Sequence, residues 1–197
     1  KQCLAYLAFA GSKRLRRCSA RAAGLAAQPT PVQTRILQAS PVLEAWGNAK
    51  TLRNDNSSRF GKFIEIWFDP SSHEIVGATN TTYLLEKSRI IYQEKGERNY
   101  HSFYQLLNGS SPAALETLKL AQFHKDISSV SYLNKSGCVA VDGVDEVSSL
   151  NEVQAAYEVL GFTSEESSML ARVLAGVLHM GNITFITSPT NADELDI

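Results

Sequence analysis

The run Phe63-Ile64-Glu65-Ile66-Trp67-Phe68 constrains this chain more than any other stretch. β-branched and aromatic side chains crowd a helical turn but pack well on a pleated surface, so the run reads as a strand. Glu65 is its only polar interior residue, which predicts a strand covered on both faces. Asp69-Pro70-Ser71-Ser72 supplies turn chemistry, and Ile75-Val76-Gly77-Ala78-Thr79 returns towards Tyr83 as a second strand. Phe60–Phe68 and Ile75–Tyr83 are therefore a predicted hairpin. Without neighbouring strands such a hairpin leaves apolar surface and unpaired edges exposed.

Helical patterns fill most of the rest. Lys1–Ala10 places Cys3, Leu4, Leu7 and Ala8 on one face and starts without a cap. Thr30-Pro31, with Gln33 three residues after the threonine, opens a helix that Pro41 is expected to bend or break, with Ser40 restarting it towards Trp46-Gly47. Arg98–Leu107 puts Tyr100, Phe103, Tyr104 and Leu107 on one side and stops at Asn108-Gly109. Ser149 with Glu152 opens a helix striped by Leu150, Val153, Tyr157 and Leu160. Thr163 with Glu166 is a second capping box, ahead of Met169, Leu170, Val173, Leu174, Val177 and Leu178. Gly181-Asn182 ends that helix, and Ile183-Thr184-Phe185 reads as a short strand. All of these stripes read as core.

The composition excludes several classes of function. At 197 residues with net charge −1, the chain fits one domain or a piece of a larger one, and wholesale nucleic-acid binding is disfavoured. Charge is nonetheless uneven: residues 1–43 carry seven Lys or Arg and no acid. The basic, Ala/Gly-rich stretch Ser12–Pro31 reads as a nuclear-localisation or nucleic-acid patch, or as a solvated surface loop. No aromatic interleaves its charges for stacking, which favours the loop. Three cysteines without paired spacing and four scattered histidines indicate neither a disulfide framework nor a metal held by protein ligands alone. Five N-x-[ST] sequons, at Asn56, Asn80, Asn108, Asn134 and Asn182, matter only in a secreted protein. No secretory signal or membrane-spanning run occurs, so the expected compartment is the cytosol, with no membrane insertion. Lys1 in place of a methionine leads us to expect a fragment.

The stretch from Arg53 to Phe63, R-N-D-N-S-S-R-F-G-K-F, concentrates amides and hydroxyls at the mouth of the predicted strand. A solvated loop is one reading. A nucleotide-hydrolysing site is another. There, amides and a Lys cradle the phosphates, a hydroxyl completes the Mg²⁺ shell and a polar group positions the attacking water. An uncharged Asn/Ser loop approaches anionic oxygens without repulsion, and its hydroxyls suit a hard cation. An arginine beside it touches phosphate or locks the loop through a carboxylate.

N-x-x-S-S-R is the form this loop takes in myosins and kinesins, and Asn54-Asp55-Asn56-Ser57-Ser58-Arg59 fits both. Kinesins usually continue Ser-His, whereas Phe60-Gly61-Lys62-Phe63 resembles myosin switch I. Ile36–Thr51, Tyr83–Arg89, Glu97–Leu107, Tyr132–Cys138 and Val177–Phe185 also resemble myosin-head wording, with Ser40 and Trp46 standing where Asn and Phe are more usual. Ser12–Pro31 falls where those heads carry a variable surface loop.

The resemblance implies an α/β fold, a partial P-loop NTPase-type motor domain with a central mixed β-sheet, the transducer, flanked by helices. It divides the chain into a helix over 1–11 after a phosphate loop, a surface loop over 12–31, helices and switch I over 32–59, a transducer hairpin over 60–83 and an upper 50 kDa-like helical part over 84–197. It implies ATP and Mg²⁺ as cofactors. Ser58 resembles the Mg²⁺-ligating serine, and Ser57 the one beside the γ-phosphate and the lytic water. Asn54 resembles the phosphate-contacting asparagine, with Asn56 and Gly61 shaping the loop. Arg59 resembles the arginine that pairs with an acidic switch II residue. Actin filaments are the implied partner, with light chains or calmodulin on a neck, in the cytoskeleton. The sequence contains neither a G-x-x-x-x-G-K-[ST] phosphate loop nor a D-x-x-G-F-E switch II. The implied parent is an actin-activated Mg-ATPase, of which this chain alone is expected to be inactive. The other readings are a myosin-derived scaffold module without ATPase and a kinesin-like microtubule motor.

Overall fold

The computed structural model describes residues 31–72, 74–187 and 195–196. The expectations for Lys1–Ala10, Ser12–Pro31 up to Thr30, and the Thr30 cap lie outside them.

Helix α1 (Pro31–Gly47) runs unbroken through Pro41. Proline removes one amide donor from the helix interior, and the expected break is absent because tertiary anchoring holds the helix on both sides of it. Ser40 and Ala45 are buried, and Trp46 Nε1 donates to the Tyr157 hydroxyl at 2.7 Å.

Strand β1 (Asn48–Thr51) pairs antiparallel with β2 (Asn54–Ser58) across a turn at Leu52-Arg53. The Asn/Ser stretch read as a loop is thus a strand, because β1 satisfies its backbone. Strand β3 (Gly61–Phe68) pairs antiparallel with β4 (Ile75–Tyr83), from Gly61 opposite Tyr83 to Phe68 opposite Ile75. Asp69 Oδ1 accepts from the amides of Ser71 (2.8 Å) and Ser72 (2.6 Å), the turn chemistry expected there. The predicted double coverage of this hairpin is not seen among the described residues. Phe63 is 59% exposed and Trp67 50% exposed, and among the described residues no third strand pairs with this hairpin.

The helical part packs beside these ribbons. It comprises α2 (His101–Gly109), α3 (Pro112–Thr117), α4 (Ala121–Lys125), α5 (Glu146–Leu160) and α6 (Ser164–Gly181), with 3₁₀ turns at Lys87–Ile90 and Ile127–Ser129. Strands β5 (Ile186–Thr187) and β6 (Leu195–Asp196) form a third ribbon, so the strand expected at Ile183–Phe185 begins later. The expected mixture of helices and strands is present, with the described strands paired as three antiparallel two-stranded ribbons.

Helix α2 is buried all round, from Ser102 to Leu107, and not along one stripe. It starts at His101 because Arg98 and Asn99 are spent on buried side-chain bonds. Around it Tyr104, Leu107, Leu120, Leu133 and Leu178 form the core. Helix α5 is capped by Asp145, which accepts from the Val147 and Ser148 amides, and not by Ser149. Two capping bonds to a carboxylate outcompete a serine hydroxyl, and Ser149 instead donates to the Asp145 carbonyl at 2.9 Å. The Thr163–Glu166 capping box of α6 is present in both directions. Leu174 and Leu178 are buried as expected, whereas Met169 and Val173 are exposed.

Candidate functional site

The β1–β2 hairpin carries every candidate between Asn54 and Ser58. Thr51 Oγ1 closes its turn, donating to the Asn54 carbonyl (3.0 Å) and accepting from the Asn54 amide (3.2 Å). Asn54 turns its own carboxamide back on the chain, Oδ1 accepting from the Asn56 amide at 2.9 Å.

Asn56 is the junction of the site. Its Oδ1 accepts from Asn48 Nδ2 at 2.9 Å and lies 3.1 Å from His101 Nε2, while its Nδ2 donates to Glu44 Oε2 at 3.2 Å. One side chain thereby ties β2 to β1, α1 and α2. Burial first, and the Arg98 charge second, push His101 down to about 4 against the pull of Glu44. The imidazole is therefore neutral at pH 7, and facing a carboxamide oxygen its Nε2 carries the proton.

Ser57 is half-buried and accepts from Arg59 Nη1 at 3.3 Å. That bond uses a lone pair and leaves the hydroxyl proton available to a substrate oxygen or water. Ser58 is exposed and donates to the Phe60 carbonyl at 3.0 Å. Among the described residues no donor is bonded to its oxygen, the condition a hydroxyl must meet to coordinate a cation. Among the described residues no cluster of three His, Cys, Asp or Glu could hold a metal. A single hydroxyl fits Mg²⁺ only as one ligand of a shell completed by phosphate and water.

The arginine is held from three sides. Its amide donates to the Gly47 carbonyl (2.8 Å) and its carbonyl accepts from the Glu86 amide (3.0 Å). Its Nε donates to Glu86 Oε2 at 2.7 Å, an oxygen that also accepts from Arg89 Nε at 2.7 Å. Arg89, 4% exposed, reaches on to Glu97 Oε2 at 2.9 Å and the Arg98 carbonyl at 3.1 Å. Glu97 in turn accepts from the Leu52 amide at 3.4 Å. One ion-pair chain therefore grips both ends of β2. Burial works to raise Glu86, but the hydrogen bonds and charges of Arg59 and Arg89 hold it below the usual carboxylate range.

Gly61 follows at the start of β3, where a Cβ would lie 2.4 Å from the Tyr83 ring. Gly47 is matched to Phe60 in the same way, a Cβ there meeting the ring at 2.4 Å. The six candidates named from sequence are thus contiguous on β2 and its exit. Glu44, Asn48, Glu86, Arg89, Glu97 and His101, which position them, were not singled out. Only the repeated acid–base pairing in Glu86-Lys87-Ser88-Arg89 hinted at a network.

The family model described as myosin head (motor domain) matches residues 1–196. The chain is 52% identical over 154 residues to the myosin-J heavy chain of Dictyostelium discoideum, covering 78% of this chain and 7% of that protein. It is 44% identical over 185 residues to myosin-5 of Arabidopsis thaliana (94% and 11%), and 45% identical over 163 residues to human unconventional myosin-XV (83% and 4%). The chain spans 4% to 16% of the lengths of the curated relatives compared.

Proposed function

The chain belongs to the myosin head family, and from that premise we propose that it supplies switch I to an actin-activated Mg-ATPase motor of the cytoskeleton. The observation that carries this reading is the contact of Arg59 with both Ser57 and Glu86. A guanidinium that holds a hydroxyl and a carboxylate together can transmit the state of one to the other.

In this reading Asn54 contacts the nucleotide phosphates, and Ser58 gives a lone pair to Mg²⁺. Bound Mg²⁺ offsets the charge that develops on the transferred phosphoryl oxygens. Ser57, its acceptor side occupied by Arg59, directs its proton to the attacking water or the γ-phosphate. Asn56 and Gly61 hold the strand and its exit in place. Arg59 latches the closed site on a switch II carboxylate. The helices from α2 onward belong to the actin-binding wall, and light chains or calmodulin sit on a neck. Cytoplasmic placement accords with the finding that no described helix is long and apolar enough to cross a membrane.

The test is single-turnover ATP chase on the full-length protein beside its Ser58→Ala and Arg59→Ala variants. Both variants should still take up ATP while hydrolysis falls by roughly 10²-fold or more, the scale of losing one transition-state contact. Actin co-sedimentation should respond to ATP in the wild type only. Unchanged hydrolysis in Ser58→Ala would remove the Mg²⁺ assignment. A wild-type protein that neither hydrolyses ATP nor releases actin would be a scaffold module.

A further inference from the structure

Glu86 touches the candidate site but is fixed from outside it. Its carbonyl accepts from the Tyr100 hydroxyl at 2.7 Å and from the Arg89 amide at 3.2 Å, and its own amide donates to the Arg59 carbonyl at 3.0 Å. Tyr100 and Arg89 are both buried, and Arg89 Nη1 is itself spent on Glu97 at 2.9 Å and the Arg98 carbonyl at 3.1 Å. The Glu86 carboxylate therefore has a set place that does not depend on the Arg59 side chain.

Its Oε2 accepts two bonds of equal length, from Arg59 Nε and from Arg89 Nε, each 2.7 Å. The two donors differ in freedom. Arg89 is locked in the core, whereas the Arg59 side chain is 29% exposed. A long side chain at such a site keeps many rotamers unless something selects one. Glu86 selects one by taking Nε. With Nη1 on Ser57 at 3.3 Å, Nη2 is left without a hydrogen bond among the described residues. A guanidinium is a rigid planar fork, so fixing two of its corners aims the third.

We propose that Glu86 is a positioning residue for hydrolysis, holding Arg59 by Nε so that the rest of the guanidinium is aimed in advance at the switch II carboxylate. The proposal rests on the reading of Arg59 as a latch and names the group that aims it. A donor whose geometry is set before closure costs no reorganisation when the reaction occurs. Sharing Oε2 with Arg89 serves the same end, because Arg89 keeps the carboxylate in place whatever Arg59 does. Glu86 acts through Arg59 alone, and Ser57, on another arm of the fork, is steadied with it.

Single-turnover ATP chase on the full-length protein tests this as a double-mutant cycle of wild type, Glu86→Gln, Arg59→Ala and the two changes combined. Glu86→Gln should take up ATP as the wild type does and hydrolyse it about tenfold more slowly, the scale of one charge-assisted hydrogen bond. Made in the Arg59→Ala protein, the same change should cost less than about twofold, because the side chain it aims is gone. A merely structural role would lower both backgrounds alike. Should Glu86→Gln fail to fold, Glu86→Asp carries the same cycle, keeping a charge for Arg89 while shortening the reach to Arg59. Its smaller loss should likewise vanish in Arg59→Ala. Equal losses in both backgrounds, hydrolysis by Glu86→Gln at the wild-type rate, or faster hydrolysis, the mark of a carboxylate that competes for Arg59, would overturn the proposal. Undiminished hydrolysis in Arg59→Ala would instead overturn the latch reading beneath it.

Discussion

Arg59 Nε and Glu86 Oε2 meet at 2.7 Å, joining the exit of the Asn54–Ser58 strand to the loop after β4. Arg59 thus has a carboxylate within the chain to hold. Arg59→Glu would set two carboxylates against each other there, which Arg59→Ala would not. At pH 7 Arg59→Glu should be the less stable by about 1 kcal/mol, the scale of a half-exposed pair. Adding Glu86→Gln should recover most of that difference in thermal melts. No difference between the two variants would mean that the pair is solvent-screened.

Acid should weaken this network in a defined window. Glu86 is held below its ordinary 4.5 although burial alone would raise it. Its stabilisation is complete above pH 4.5 and is lost as the pH falls through the lowered folded value. Melting points of wild type and Glu86→Gln should converge below that range and separate above it.

His101 acts in an earlier window. Burial, then Arg98, lowers it from 6.5 to about 4. Between those values the unfolded chain binds a proton that the folded one refuses, so stability falls as the pH drops from 6.5 towards 4 and levels off below. The loss is at most about 3 kcal/mol. His101→Gln keeps a donor for Asn56 and should flatten the slope between pH 6.5 and 4; a slope unchanged in that variant would point to another group.

Glu146 should matter more than its place near the surface suggests. Arg98 is 1% exposed, lies 3.7 Å over the Tyr104 ring and has Nε and Nη2 without hydrogen-bond partners among the described residues. Glu146→Gln leaves that guanidinium buried with no carboxylate, at a cost of about 3 kcal/mol. The double variant Arg98→Met/Glu146→Leu should regain most of this in urea titrations. A double variant as unstable as the single would assign the loss to packing instead of charge.

Two glycines should differ in what they tolerate. A Cβ at Gly109 would lie 2.6 Å from the Glu146 carbonyl, a backbone atom that moves only with α5. The Cβ at Gly61 meets the Tyr83 ring, which is 51% exposed and free to swing. Gly109→Ala should cost about 2–3 kcal/mol and Gly61→Ala about 1 kcal/mol or less. Chemical denaturation orders them, and a reversed order would mean that the Tyr83 ring is locked.

Features that depend on a few adjacent residues were legible in the sequence. The hairpin turn at Asp69-Pro70-Ser71-Ser72 and the Thr163–Glu166 box both rest on side chains whose partners lie within a few positions. Period and capping chemistry fix such elements before any tertiary contact forms. Pro41 shows where that local logic stops. Its missing donor argued for a break, yet packing of Ser40, Ala45 and Trp46 holds the helix through it. The Asn/Ser run likewise carries loop composition but is a strand, since β1 lies across from it.

Sequence alone singled out the residues to which we assign the chemistry: two hydroxyls, two amides and a guanidinium in one short run, with the flanking wording of a motor head. Tertiary structure alone decided what holds them. Arg59 finds Glu86 27 positions away, Arg98 finds Glu146 at 48, and His101 finds Asn56 at 45. Charge–charge and buried hydrogen-bond pairs are chosen by which groups the packed core leaves within about 3 Å of one another. Many carboxylates in a sequence could satisfy one arginine. Burial of Arg89 and Arg98 beside α2 leaves only those the fold has already brought near.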